Sequence, residues 1–272
     1  MAKIASAAAD DETSARAQRA VQSVEVGGRL LLALADGDGP LPLKELAERA
    51  GMVPSRAHPY LVSYTRLGLV EQDAATARYE LGPSALRIGL ACLQRFDPLR
   101  LAEPVARELA ARTGHAVALS VWGNFGPTVV RMIEARQALH TTLRVGSVLA
   151  VFETATGRAF AAALPDDRLR EGIAGPLGAP QARDTLRLRQ QELVELRLQF
   201  QRHGISRSVG SPIPGVNAFS APVFDHEGTP VLVITATDHE DRMPGHWTAP
   251  AATAVRAAAR EITARLGGQT EP

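Results

Sequence analysis

The chain has 272 residues, 45% of them hydrophobic, and a formal net charge of +1. That length suffices for one large or two ordinary domains, and near-neutrality excludes a global attraction to nucleic acid or membrane, so any such affinity has to be local. The single cysteine, Cys92, excludes an intrachain disulfide and a multi-cysteine metal site. No apolar run reaches membrane-spanning length and no signal-peptide pattern opens the chain, so a soluble protein of a reducing cytoplasm is expected.

Residues 1–20 are rich in Ala, Asp and Ser without an apolar period and are expected to be a mobile tail. From Val21 to Leu34 the pattern Val24, Leu30, Leu31, Leu34 predicts a helix. Gly27-Gly28 weakens it by ~1 kcal/mol per residue, and the pair is expected where another backbone comes close. Leu43, Leu46 and Ala47 share one face of a second helix, which Ala50-Gly51 stops where a left-handed residue is needed. Ala57, Leu61, Tyr64 and Gly68 recur at three- and four-residue spacing in a third. Two strands, 69–71 and 77–81, follow around the polar tip 72–76. Helix, sharp turn, helix and hairpin spell a winged helix-turn-helix, which reads DNA.

With Leu61 turned inward, Arg56, Pro59, Ser63 and Arg66 face outward. Between Arg49 and Val70 the only formal charges are Arg49, Arg56 and Arg66. The surrounding stretch Val21–Gly82 holds six Lys/Arg against eight acids, so positive charge lies only where phosphates would.

After the hairpin, Leu86, Ile88, Leu90 and Leu93 predict a helix from Ser84 to Phe96 that connects two domains, with Cys92 as a small buried hydrophobe. Asp97-Pro98 opens another helix with a cap and a first-turn proline, ending near Thr113-Gly114. The period then changes to two. Strands are predicted over 116–122, 128–134, 141–144, 205–208, 216–224 and 230–237, and helices over 154–164, 183–202 and 249–266. Hairpin-joined strands with helices before, between and after them make an α+β domain with an antiparallel sheet.

At this point the residues resemble a known family. VQSVEVGGRLLLALA (21–35), the helix-turn-helix 43–71, RYELGP (78–83), RVGSVLAVFETATGRAFAAALP (144–165) and PGVNAFSAPVFDHEGTPVLVITAT (214–237) are, in order and spacing, similar to the IclR family of bacterial transcriptional regulators. The resemblance runs from about Val21 to Leu266. It implies a winged helix-turn-helix over 21–83, a connector helix over 84–96, and a GAF-like effector-binding domain over 97–267, with a tail at 268–272. It also implies double-stranded operator DNA and a small organic effector as partners, assembly as a homodimer or tetramer, and no cofactor.

Carried across by position, the family's effector pocket implicates Phe152, Ala155, Thr156, Ser208, Ala218, Thr235 and Thr237. The amides of Ala155 and Thr156, near a helix N-terminus, are suited to a carboxylate. Members that bind small polar acids place an acid at Ser208 and a cysteine at Ala218, and a histidine of the loop is replaced here by Phe152. Loss of those polar groups predicts a less polar, aromatic ligand. In the DNA-reading helix, relatives often have His-Arg where this chain has His58-Pro59. An internal proline removes a hydrogen bond and clashes with the carbonyl four residues back, for ~3 kcal/mol, so the helix is expected to start late, near Ser55, or to bend. The DNA-contact candidates are then Lys44, Ser55, Arg56, His58, Tyr60, Ser63, Arg66 and Arg78. Tyr60 and His58 are equally suited to packing along the helix flank.

Catalysis finds little support. The seven histidines have no metal-ligand spacing on one helix, and no Gly-x-Ser-x-Gly elbow is present. Ser206-Arg207-Ser208 near His203 is the only stretch suggesting a nucleophile. A ligand-gated interaction module that has lost DNA binding is the other alternative, kept open by Pro59.

Overall fold

A computed structural model describes residues 21–134, 136, 143–174 and 189–269. By internal contacts the chain divides into two compact units, Met1–Phe96 and Asp97–Pro272. The expected N-terminal tail, the first half of the strand expected at 141–144 and the start of the helix expected at 183 lie outside the described residues.

The first unit runs α1 (Gln22–Ala35), α2 (Leu43–Arg49), α3 (Pro54–Arg66), β1 (Val70–Gln72), β2 (Tyr79–Leu81) and α4 (Pro83–Gln94). Its core is built by Leu30 and Leu34 of α1, Leu46 and Ala47 of α2, Ala57 and Leu61 of α3, with Val70 and Tyr79 from the hairpin. Leu30, Leu46 and Leu61 are fully buried, which stabilises by about 1.5–3 kcal/mol each. Two glycines set the corner geometry. Gly51 (φ +69°) ends α2, with Met52 N–H donating to the Ala47 carbonyl at 2.9 Å. Gly68 (φ +67°) ends α3 in the same way, through Leu69 N–H to the Tyr64 carbonyl at 2.9 Å. Both are Schellman closures, which favour glycine because the left-handed region is open to it.

Four expectations need correction here. Strand β2 begins at Tyr79 rather than Ala77, because Ala77 sits at φ +55° and belongs to the turn. That turn is held by Asp73 Oδ1, which accepts from the amides of Ala75 (2.6 Å) and Thr76 (3.0 Å). These bonds keep the Asp73 carboxyl below its usual range. Gly27 makes room for side chains, not backbone: a Cβ there would run into the Tyr64 hydroxyl and come within 2.9 Å of Tyr60 Cδ1, while Gly28 faces open space. Cys92 is exposed, as are Leu86 (63%) and Ile88 (56%), and α4 has no buried residue.

The second unit runs α5 (Pro98–Thr113), β3 (Ala116–Gly123), β4 (Gly126–Ile133), α6 (Ala155–Ala163), α7 (Asp166–Ala174), α8 (Gln190–His203), β5 (Ser206–Val209), β6 (Val216–Phe224), β7 (Pro230–His239) and α9 (Pro250–Arg265). The strands form one antiparallel sheet in the order β4-β3-β7-β6-β5. Helices α5 and α9 pack against each other and against the sheet, α6 packs on β5, β6 and β7, and α8 packs on α6. Asp97 caps α5 as expected, accepting from Leu99 and Arg100 amides at 3.1 Å. Helix α7 was not expected, and Leu143 and Arg144 are not in a strand.

At the end of β7, Asp238 is 2% exposed and accepts from Arg242 Nε (2.9 Å) and the His239 amide (2.7 Å), with His115 Nδ1 at 2.8 Å. Burial pushes the Asp238 carboxyl up, but Arg242, His115 and the His239 amide reverse this and leave it below its ordinary value. A group depressed in the folded state stabilises fully above its unfolded pKa and loses that contribution as pH falls through the folded one. Urea titrations of the wild type should therefore show stability falling below about pH 5. The Asp238→Asn variant should be about 2 kcal/mol less stable at neutral pH and less steep in that acid window. A variant with the wild-type acid slope would remove Asp238 as a source.

Candidate DNA-reading face and ligand cavity

On α3 the side chains of Ser55, Arg56, His58, Ser63 and Arg66 are exposed, as are Lys44 on α2 and Arg78 at the hairpin. Arg56, Arg66 and Lys44 make no ion pair or hydrogen bond among the described residues, whereas Arg49 is paired with Glu45 at 2.7 Å. Two free guanidinium groups therefore lie about ten residues apart along one exposed helix flank, free to bind phosphate. Arg78 is partly committed, since its Nη1 donates to the Pro40 carbonyl at 3.0 Å. Ser63 returns its hydroxyl proton to the Pro59 carbonyl (3.0 Å), which leaves it an acceptor. Tyr60 is half-buried against the core beside Tyr64, with its ring toward Gly27 of α1, so packing describes it better than an outward role. Burial, followed by the neighbouring Tyr60, raises the Tyr64 hydroxyl above its usual pKa.

Helix α3 starts at Pro54, with Val53 as the extended residue before it, and continues through Pro59 to Arg66. The start is one residue before the expected Ser55. Pro59 is exposed, so its ring meets solvent, and the missing N–H costs only the bond to the Ser55 carbonyl.

In the second unit, six of the seven residues expected at an effector site surround one cavity of about 380 Å³: Ala155, Thr156, Ser208, Ala218, Thr235 and Thr237. Sheet register explains why. Ser208 lies opposite Ala218, and Ala218 opposite Thr237, so three strands present one row on one face. Thr235, two residues along, lies opposite Ser220 on that face. Thr154, Ser147, Ser211, Leu149, Ile213 and Val216 are among the other lining residues, and no lining residue is charged. Sequence reasoning missed these because all but Val216 precede or join the regular elements and carry no period, and Val216 is the first residue of its strand.

The polar groups are ordered. Thr156 Oγ1 and Thr235 Oγ1 are 2.8 Å apart, and Ser220 Oγ is 2.8 Å from Thr235 Oγ1. Thr237 Oγ1 donates to the Asn217 carbonyl at 3.0 Å. The Thr154 hydroxyl caps α6 by accepting from Gly157 N–H at 3.0 Å, while the Ala155 and Thr156 amides have no partner among the described residues. Ser208 is 5% exposed, and its hydroxyl likewise has no partner there. The Ser208 hydroxyl, unpaired and on the cavity lining, is open to a hydrogen bond from a ligand.

Phe152 is the exception among the expected residues. It is not part of the cavity lining but packs in the core with Phe160, Leu169 and Leu193, and the Arg189 guanidinium lies 4.2 Å over its ring. Its carbonyl accepts from Arg158 Nε at 2.7 Å, and Arg158 Nη1 donates to the Arg207 carbonyl at 2.9 Å. Arg158 so ties the loop before α6 to β5. Glu153 is paired with Arg189: burial raises its carboxyl, but the guanidinium brings it below the usual range.

Comparison with known proteins agrees with this architecture. Residues 23–74 match the IclR helix-turn-helix domain and residues 90–264 the C-terminal domain of bacterial transcriptional regulators of the IclR type. The glycerol operon regulatory protein of Streptomyces coelicolor is 28% identical over 262 residues, covering 92% of this chain and 98% of that protein. The transcriptional repressor IclR of Escherichia coli is 24% identical over 255 residues, 91% of each. The crystal structure of Pseudomonas aeruginosa HmgR superposes with a TM-score of 0.78 at 35% identity, covering 92% of this chain and 99% of that one. A helix-turn-helix unit followed by a helix-covered antiparallel sheet is the build of a transcriptional regulator. The chain belongs to the IclR family of bacterial transcriptional regulators. No helix of the described residues is long and apolar enough to cross a membrane, and none of their His, Cys, Asp and Glu residues cluster to hold a metal.

Proposed function

We propose that the protein is a ligand-responsive regulator that binds operator DNA through α3 and the hairpin and a small organic effector in the 380 Å³ cavity. It acts in the cytoplasm, without catalysis or cofactor. The observation carrying the effector half is the unpartnered Ser208 hydroxyl beside the free Ala155 and Thr156 amides, in a cavity without charged walls. Such a lining favours an aromatic body with one polar head over a compact charged acid. The working domains are 21–83 for DNA, 84–96 as connector and 97–267 for the effector. The exposed apolar side chains of α4 support a homodimer, or a tetramer of two dimers, since isolated apolar helix faces seek cover. Effector binding then alters the spacing of two winged helices through the connector helices 84–113, and half-sites one helical turn apart fit or fail to fit.

Thermal-shift and calorimetric titration with aromatic acids, pyruvate and glyoxylate test the ligand class. Aromatic acids should stabilise the protein, and stabilisation by pyruvate and glyoxylate alone would overturn the assignment. Ser208→Val should weaken the effector about tenfold, the value of one hydrogen bond, and leave effector-free DNA binding unchanged. Pro59 favours a second reading, an interaction module with impaired DNA binding. A gel shift on the upstream region of the protein's own gene separates the two.

A further inference from the structure

A second cleft, of about 440 Å³, lies away from the effector cavity, between the end of α8, strand β6 and α9. Strand β5 pairs with β6 only as far as Ser220, so among the described residues Ala221–Phe224 has no strand on its outer side. This edge does not accept a strand. Pro222 has no N–H, and Phe224 N–H already donates to Thr263 Oγ1 at 3.2 Å. The occupant is therefore a compact molecule, not an extended peptide.

The chemistry of the cleft is divided. Its floor is apolar, with Ala221 and Ala259 buried and Phe200 half-buried. Its wall carries Arg256 and Arg260, one turn apart on α9. Like charges at that spacing repel, and here no carboxylate answers them among the described residues. The neighbouring Arg265, by contrast, is paired with Glu261 at 2.6 Å. Arg256 spends one N–H on the His203 carbonyl at 2.8 Å, and Arg260 spends none. The one acid in the lining, Glu227, is 74% exposed on the β6–β7 turn.

From this pairing of two uncompensated guanidinium groups with an apolar floor, we infer that the cleft is a second small-molecule site, selective for an organic carboxylate with an apolar body. The guanidinium groups take the carboxylate by charge-assisted hydrogen bonds and the floor takes the body. Because α8 carries Phe200 into the cleft and packs Leu193 and Leu196 with Phe160 of α6, a ligand here touches a helix that in turn packs on α6, whose first residues line the effector cavity.

Calorimetric titration of the full chain with 3-phenylpropionate, and with uncharged 3-phenylpropionamide, tests the site. The acid should bind at least tenfold tighter than the amide. Arg256→Gln with Arg260→Gln should weaken the acid at least tenfold and leave the amide unchanged, while lysine at both positions restores part of the loss. Arg260→Gln alone, which breaks no bond, serves if the double variant melts early. In Ser208→Val the arginine-dependent part of acid binding, the part that Arg256→Gln with Arg260→Gln removes, should remain as in the wild type. No acid binding, equal acid and amide affinities, or Gln variants that match the wild type would each overturn the proposal. So would loss of the acid in Ser208→Val with retention in the Gln variants, which places the probe in the other cavity.

Discussion

Gly157→Ala is expected to destabilise the second unit by about 2–4 kcal/mol, although alanine is the better helix former by about 1 kcal/mol. Gly157 lies in α6 with the preceding loop folded directly over it, and an added Cβ would overlap the carbonyl oxygens of Ala150 and Val151. Those oxygens belong to backbone that Arg158 holds through the Phe152 carbonyl, so the loop has little room to retreat. The same loop supplies Leu149 and Ala150 to the cavity wall, and effector affinity should fall with stability. Gly28→Ala is the matched control, a helical glycine with nothing within 4 Å of the added carbon, and it should gain about 0.5–1 kcal/mol. Urea unfolding of both variants reads the result. A Gly157 variant as stable as the wild type would mean that the loop does not press on α6.

Replacing Arg56 and Arg66 together by alanine should weaken operator binding roughly a hundredfold at 0.1 M salt and leave the melting temperature unchanged. Both side chains are exposed and unpaired among the described residues, so the fold loses no bond. If each contacts one phosphate in each copy of a dimer, four contacts vanish, and the slope of log affinity against log salt should shrink by about 3.6. Fluorescence anisotropy across a salt series measures it. An unchanged slope would move the DNA surface elsewhere, with Lys44 and the hairpin the next places to look.

The helix-turn-helix was legible because period and punctuation agreed. Leu46, Ala47, Ala57 and Leu61 fall where a 3.6-residue repeat puts them, and Gly51 stops a helix through positive φ as expected, whereas Gly68, read as a periodic position of the third helix, lies past its end at positive φ. Ala77 was not legible, since alanine gives no sign of adopting φ +55°; the Asp73 side chain, bonding to amides two and three residues on, imposes the turn. Apolar spacing in α4 reads as a core helix, yet among the described residues nothing covers Leu86 and Ile88, which stay exposed. Strand periodicity located β3, β6 and β7. It did not reveal that Ser208, Ala218 and Thr237 align across three strands, because register belongs to strand pairs and not to any one strand. Those cavity positions came from family resemblance, and Phe152 shows where that transfer fails. A bulky apolar ring in place of a histidine gains more by joining Phe160 and Leu193 than by lining a cavity. Unpaired arginines on α9 were invisible for a related reason: a charge on a helix reads as solvated until its neighbours are known.

The hydroxyl row Thr156, Thr235 and Ser220 has one more consequence. Neither of its 2.8 Å bonds fixes which oxygen donates, so the row has two proton arrangements of opposite sense with the same number of bonds. In one, Thr156 gives its proton to Thr235 and turns a lone pair toward the cavity. In the other, Ser220 gives to Thr235, Thr235 to Thr156, and Thr156 offers its proton outward. The cavity can thus greet a phenol or a carbonyl by rotating three O–H bonds, with no movement of heavy atoms. Under the proposed function, chemically related effectors of opposite hydrogen-bond polarity would then share one site, and discrimination between them would fall to shape.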